Sequence, residues 1–395
     1  MKFPKQKLFA TAVFSLAAAA VLMACGGGGS NPPPPTGGGT VATVDPVSEA
    51  SLKTATDIGA QVIAGASADE KVYNMAADIG DSWQLVLNNK TNTYVMKVLS
   101  TQYGLVSTSA AGFIKTTVGS LTTISSSSGT ALAVQIDELT NTLAGNATVG
   151  DRRASVSGSG YKVAGTSLLA GNYFFMGATR NVSNGQFRDN PIGSFVVAAN
   201  GTDITVCDRG IVVNGACAAV PNSGVQAINS KLLKVSKDSA TGLLLIKDGI
   251  KDFGVLHVSA GDRGPVLILD RFGLNDENVL RAGVIFAGKA IKLAGTEFNG
   301  TFNCSTNGTD LATVGVTGAS YTVKDLQRNT SNSGTLQYNK IVSNDGLTAI
   351  NLDGVAIVRN IDETLAQASL LLPLSSSLAV VSHGDGSLDI CRRAS

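Results

Sequence analysis

The chain has 395 residues, 30 Lys+Arg against 29 Asp+Glu for a formal net charge of +1, and only 15% charged residues. There is no basic block for nucleic acid or anionic lipid to bind, whereas the 44% hydrophobic share suffices for buried cores. The length accommodates two or three domains of roughly 100–200 residues each.

The first seven residues carry Lys2, Lys5 and Lys7 and no acid, and an apolar run then extends from Leu8 to Ala24, broken only by Thr11 and Ser15. A basic start followed by an apolar stretch of about 17 residues reads as an export signal, short for a membrane span. Removing the three lysines brings the net charge to about −2. The run ends in Leu22-Met23-Ala24-Cys25, which resembles the lipobox of bacterial lipoproteins. That resemblance implies a diacylglycerol on the Cys25 sulfur, cleavage before Cys25 and acylation of the new amine. It further implies a palmitate-type anchor, and two or more acyl chains hold a protein firmly to a membrane. Gly26 in place of Asp implies the outer membrane rather than retention at the inner one, with the periplasmic or surface face left open. Segment 1–24 is the expected signal peptide, and 25–45 the lipidated cysteine and its tether. Residues 26–40, GGGGSNPPPPTGGGT, combine flexible Gly ends with a stiff proline piece that spans about 40–50 Å when drawn out.

Asp45-Pro46 supplies a helix N-cap and a proline at the first helical position, with Glu49 in the first turn. A helix is predicted over 46–64, with Leu52, Ala55, Ile58 and Val62 on one face. From about Val72 the apolar period changes to two. Trp83, Leu85 and Leu87, a turn at Asn88-Asn89-Lys90 and the return Thr93–Leu99 predict a hairpin. Further strands are predicted at Gly112–Val118, Thr130–Ile136 and Ala154–Val163, with short helices near Val225–Leu233 and Asn275–Arg281. Three markers recur in order. Leu169–Phe174 resembles Leu293–Phe298, Asn200–Asp203 recurs as Asn307–Asp310, and Gly242–Ile246 resembles Gly346–Ile350; Leu143–Asn146 is a weaker further copy of the first. The fold class expected is mainly β, with antiparallel sandwich- or barrel-like modules in tandem and one short N-terminal helix. The segments are 46–165 for helix plus first β module, 166–290 for the second and 291–395 for the third.

Besides Cys25 there are four cysteines. An even number in an exported chain reads as two disulfides. Cys207 and Cys217 flank a hairpin and are expected to pair, as are Cys304 and Cys391 in the first and last strands of the third module. Close CxxC pairs are missing, so zinc is not expected, and neither is any other metal or cofactor. The two histidines are His257, in a strand-like run, and His383, in the turn Ser382–Gly386. Each reads better as a structural residue than as a catalytic one, and the hydrolase elbow, zincin and P-loop motifs are absent. Asp276-Glu277 and Asp385 with Asp389 are the nearest carboxylate pairs for glycosidase work. Asp270, Asn275, Asp276 and Glu277 are the nearest calcium oxygens, without EF-hand spacing. Asp-Arg or Arg-Asp pairs recur at 151–152, 188–189, 208–209, 262–263 and 270–271, and read as solvated turn charges rather than as a ligand-binding rim. The expected function is a lipid-anchored envelope protein in binding, adhesion or assembly, with an envelope protein, glycan or small ligand as partner and no nucleic acid. The competing expectation is an envelope hydrolase using His257 or His383.

Overall fold

A computed structural model describes residues 45–394 apart from 215, 220–229, 240, 276 and 344–345, with backbone alone at 187–189. The signal, Cys25 and the tether lie outside the described residues. Strands dominate, as expected, and they form antiparallel barrels in tandem behind one helix.

The helix is Pro46–Asp57, with Asp45 Oδ1 accepting from Val47 N at 2.9 Å as its N-cap. It stops well before Ala64, because Ile58 leaves the helical path and Gly59 turns left-handed at φ +61. Eight consecutive strands then close into the first barrel, from Glu70–Ala77 to Arg152–Ser159, whose first and last strands pair from Asn74↔Ser159 to Ala77↔Val156. The hairpin at Asn88 is held by Asn88 Oδ1, which accepts from Lys90 N and Thr91 N, and by Asn92 at φ 51. Large inward side chains fill this barrel: Tyr73, Met75, Trp83, Leu85 and Met96 are all essentially fully buried.

The middle sheet starts at Gly171–Asn181. That strand pairs on one side with Ile192–Val197 and on the other with Leu280–Lys289, so this sheet too closes on itself. The third barrel runs from Gly300–Thr306 to Leu388–Arg393, closed by the pairing of those two strands. Cys304 and Cys391 are direct partners in that register and are bonded, and Cys207 is bonded to Cys217.

Two of the short helices expected from sequence are not helices. Ser230–Lys237 is a strand paired with Asp203–Asp208 on one side and Leu244–Asp248 on the other. The alternation of buried Leu233 and Val235 with exposed Leu232, Lys234 and Ser236 is a period of two, which outweighs helix propensity; residues 225–229 lie outside the described residues. Around Asn275 the chain makes a hairpin loop: Asn275 Oδ1 accepts from Glu277 N and Val279 N, Asn278 sits at φ 58, and Leu280 begins a strand.

The recurring markers are only partly equivalent. The first runs into the opening strand of the middle barrel but ends before that of the third, and the third marker runs into the fifth strand in both. The second lies between strands two and three of the middle barrel but between strands one and two of the third. The weak copy at Leu143–Asn146 is inside a strand of the first barrel.

The largest apolar cluster is not inside a barrel. It joins outward-facing Phe174, Met176, Val266, Ile268 and Phe286 of the middle barrel to Ile357, Leu372, Leu378 and Val380 of the third, with Ala76 and Ala144 of the first. These strands are therefore apolar on both faces, as in runs like Tyr173–Met176. A polar junction accompanies it. The tip of the third barrel's first hairpin docks on the first barrel, where Asn307 N donates to Asp78 Oδ2 at 2.7 Å and Gly308 N to Ser155 Oγ at 2.9 Å. Arg180 of the middle barrel reaches the same point, donating to Asn307 Oδ1 at 2.5 Å and Asp78 O at 3.3 Å. Only glycine fits at 308, where φ is +73 and a Cβ would lie 2.4 Å from Arg153 Cγ.

Candidate functional site

The first barrel spends its inward positions on a filled core, and the middle one does not. Along Gly264–Leu274 the inward residues are Leu267, Leu269 and Arg271; along Leu280–Lys289 they are Arg281, Ile285 and Ala287. With Phe175, Phe195, Ile204, Leu233, Ile246 and Leu256 these side chains line a cavity of about 590 Å³. That volume lies within the range of small-molecule sites, about 300–1,000 Å³.

One end of this barrel is closed. Ala55 and Ile58 of the helix, with Val163 and Leu169, join Tyr173, Val258 and Ala260 in a single buried cluster, and Ser51 Oγ donates to Ala260 O at 2.6 Å. Tyr173 closes the floor, its hydroxyl donating to Leu169 O at 2.6 Å and its ring stacked 5.1 Å from Phe195. Lys289 Nζ lies 4.4 Å from the centre of that ring and donates to Ala170 O at 2.9 Å; burial pushes its pKa down.

The other end is polar, with Asp208, Lys231, Asp248, Arg271, Asn275 and Arg281 among the lining. Lys231 Nζ and Asp248 Oδ2 pair at 2.5 Å. Arg271 is 5% exposed; its guanidinium lies 4.0 Å over the Phe253 ring and donates to Phe253 O at 3.0 Å. The Nε and Nη1 atoms of Arg281 are buried without a hydrogen-bond partner.

A second cavity, of about 200 Å³, lies in the third barrel and is lined by Phe298, Val316, Leu336 and Leu371, with Ser369, His383 and Asp389 in its wall. Ser369 Oγ is 2.9 Å from His383 Nδ1, and His383 Nε2 is 3.1 Å from Asp389 Oδ2. Thr306 Oγ1 donates to Asp389 Oδ1 at 2.5 Å and so fixes the carboxylate. Burial lowers the His383 pKa, but Asp389, with Asp385 and Glu363 beyond it, outweighs that and holds it above the usual histidine value.

His257 stands elsewhere. It is 5% exposed, at the seam of the first and middle barrels, and borders a void of about 30 Å³. Ser82 Oγ lies 2.9 Å from His257 Nε2 and 2.5 Å from Asp270 Oδ2. Burial pushes His257 down to about 4 and Asp270 well up, so both are driven toward their uncharged forms. The serine sits between histidine and acid, which is a structural bridge and not the order in which a histidine activates a serine.

The Asp-Arg pairs are not uniformly solvated. Asp151 and Arg152 are exposed, 3.8 Å apart. Asp270 and Arg271 are buried, Asp262 accepts from Ser376 N at 2.9 Å, Arg263 lies 3.8 Å from Glu297, and Asp208 and Arg271 face the chamber. Consecutive strand residues point to opposite faces, so Asp270 goes to the seam and Arg271 to the lumen. Of the carboxylate pairs, Asp385 accepts from Ser387 N and Asp389 is paired with His383, while Asp276 lies outside the described residues. Among the described residues no group of three or more His, Cys, Asp or Glu could hold a metal ion. Sequence reasoning passed over Arg281 and read Arg271 only as a turn charge. The signal available was an arginine on the apolar parity of a strand, as in Leu267-x-Leu269-x-Arg271.

Fold and site define a tandem of antiparallel barrels whose middle member is a cup with an apolar lumen and a polar mouth. No family model matches the chain, and no curated protein matches it. Among solved structures it is similar to intact Ap-TbpB with its N and C lobes, at 10% identity and TM-score 0.17, over 79% of this chain and 66% of that one. It is likewise similar to a point mutant of the vaccine antigen Transferrin Binding Protein B from Haemophilus parasuis Hp5, at 8% identity and TM-score 0.17, over 79% and 65%. The chain thus spans just under two thirds of their lengths, and at that TM-score the likeness assigns no residue and no activity.

Proposed function

We propose that this is a lipid-anchored protein of the bacterial cell envelope, held at the outer membrane through Cys25, with a non-enzymatic binding role exercised by the middle barrel. The observation that carries the binding role is the chamber of about 590 Å³, floored by the helix and open at a charged rim. An apolar lumen of that size gains about 25 cal/mol for each Å² that a ligand removes from water. The anchor rests on the Leu22–Cys25 motif and the tether on the Gly/Pro run. Binding of a neutral apolar fluorophore to the purified protein tests the reading. Leu256→Trp, which places a bulky ring in the lumen, abolishes that binding while circular dichroism stays unchanged. Binding that survives Leu256→Trp places the ligand elsewhere and defeats the proposal.

One observation favours a second reading, a hydrolase acting through His383: the line Ser369–His383–Asp389 in the wall of the second cavity. Labelling of Ser369 by a fluorophosphonate, lost in His383→Ala, is the outcome that reading requires. An unlabelled Ser369 removes it.

A further inference from the structure

We propose that the occupant of the middle barrel is a single-chain amphiphile, a long-chain monocarboxylate, with its head at Arg281 and Arg271 and its tail running toward Tyr173. The inference rests on the reading of this barrel as a binding chamber and adds the chemical class of what fills it.

The head group follows from the rim. Arg271 pairs across strands with Gly283, and Arg281 with Gly273, so the two arginines are diagonal neighbours on one face. Such positions are about 7–8 Å apart, near enough for two long side chains to share an anion. Arg271 is already held by Phe253 through its carbonyl and ring. Arg281 is not: its Nε and Nη1 are shut away from water with no acceptor. Buried donors left unpaired are costly, and charged ones more so. An oxyanion at the mouth supplies the missing acceptors once the Arg281 guanidinium turns toward it, and a carboxylate is an ion that guanidinium groups bind well.

Charge selects among anions. Lys231 and Asp248 neutralise each other at 2.5 Å. Asp208 offsets one arginine, so the described lining residues leave a single positive charge. A monocarboxylate balances it, whereas a phosphate dianion would leave an excess charge in a low-dielectric site. The tail follows from the walls: Ile204, Leu233, Ile246, Leu267 and Ile285 offer no polar side-chain atom between rim and floor. The floor is sealed by the helix, so the ligand has one polar end only.

The test uses the whole mature chain with Cys25→Ala, exported behind an ordinary signal so that no acyl group of its own competes. It is loaded with 1-aminoanthracene, a neutral fluorophore, and titrated with palmitate, hexadecanol and hexadecyl phosphate. Palmitate is expected to displace the probe at concentrations about tenfold below hexadecanol, equivalent to about 1.4 kcal/mol. Arg281→Met is expected to erase that advantage while the fluorophore still binds. Equal potency of acid and alcohol, an advantage that persists in Arg281→Met, or tighter binding of hexadecyl phosphate overturns the carboxylate assignment and leaves the chamber standing. A wild-type protein that never binds the fluorophore instead removes the chamber reading itself. The acid–alcohol comparison in the wild type decides the head group even if the variant does not fold.

Discussion

Two buried groups at the barrel seams are set against each other in pH. Burial pushes Asp78 up to about 6, only partly offset by Arg180 and by the backbone N–H groups of Asn307 and Ser155. Burial pushes His257 down to about 4. Asp78 is the raised case. The folded state holds a proton between about 4 and 6 that the unfolded chain has lost, so this group's contribution is full below about 4 and is lost as pH rises through 6. His257 is the depressed case: its contribution is full above about 6.5 and is lost as pH falls through 4. Each shift is about two units or slightly more, and at 1.36 kcal/mol per unit each is worth about 3 kcal/mol, with opposite sign over the same window. Asp78→Asn and His257→Gln separate them. Urea midpoints at pH 4, 5, 6 and 7, expressed as variant minus wild type, isolate one titration each, because every other group appears on both sides of the difference. For His257→Gln the difference should move in the variant's favour by about 3 kcal/mol as pH falls from 6.5 to 4. For Asp78→Asn it should move in the variant's favour by about as much as pH rises from 4 to 6. Any constant offset, such as the acceptor that Asn lacks for one of its two N–H donors, leaves these slopes untouched. Flat difference curves, or two curves of the same sign, would refute the reasoning.

Removing the Cys304–Cys391 bridge, whose sequence separation is 87, should cost about 4–5 kcal/mol in the loop-entropy account, against about 2–3 for Cys207–Cys217 with its separation of 10. Denaturant melts of the two double Cys→Ala variants rank them, and the reverse ranking would count against that account. Gly308→Val forces a side chain onto Arg153 and should loosen the hairpin from the first barrel at a cost of about 1–3 kcal/mol; hydrogen exchange at Asn307 and Gly308 amides reads the loss, and unchanged protection contradicts the docking. Cys25→Ser should incorporate no labelled palmitate and leave unprocessed precursor, and label entering the variant would sink the anchor.

Period-two alternation made several strands of the first barrel legible, and the hairpin at Asn88 was readable down to its turn residues. What escaped the sequence was long-range. The second apolar face of Phe174, Met176 and Ile268 has meaning only when the third barrel lies against it. Asn275 could be read equally as a helix cap or a loop acceptor, because its side chain bonds the same backbone donors in either. The Asn-Gly-Thr-Asp markers looked equivalent, yet their partners differ. Gly201 O accepts from Thr166 Oγ1 inside the middle unit, whereas Asp310 takes Asn146 of the first barrel and a double contact from Arg392. Turn chemistry is local and the surface it meets is not, so identical motifs served different ends.

The same distinction bears on where a binding site can arise in such a chain. The first and middle barrels have the same strand number, so their lumens start from similar backbone dimensions, and side chains decide what space remains. The first barrel puts Trp83, Met75, Met96 and Tyr73 on its inward positions and is filled. The middle barrel puts Tyr173, Phe175 and Phe195 toward one end and Phe253 against Arg271 at the mouth, and has Gly177, Gly193 and Gly283 on inward positions between them. Filling that space with leucine-sized side chains would bury more apolar surface and gain stability. The open lumen thus carries a standing cost that the first barrel avoids, and Arg281, with its buried unpaired donors, adds to it. Both costs fall in one place and both are relieved by one kind of guest, an apolar chain with a single negative end. A fold maintained for stability alone gives no reason for the two to coincide.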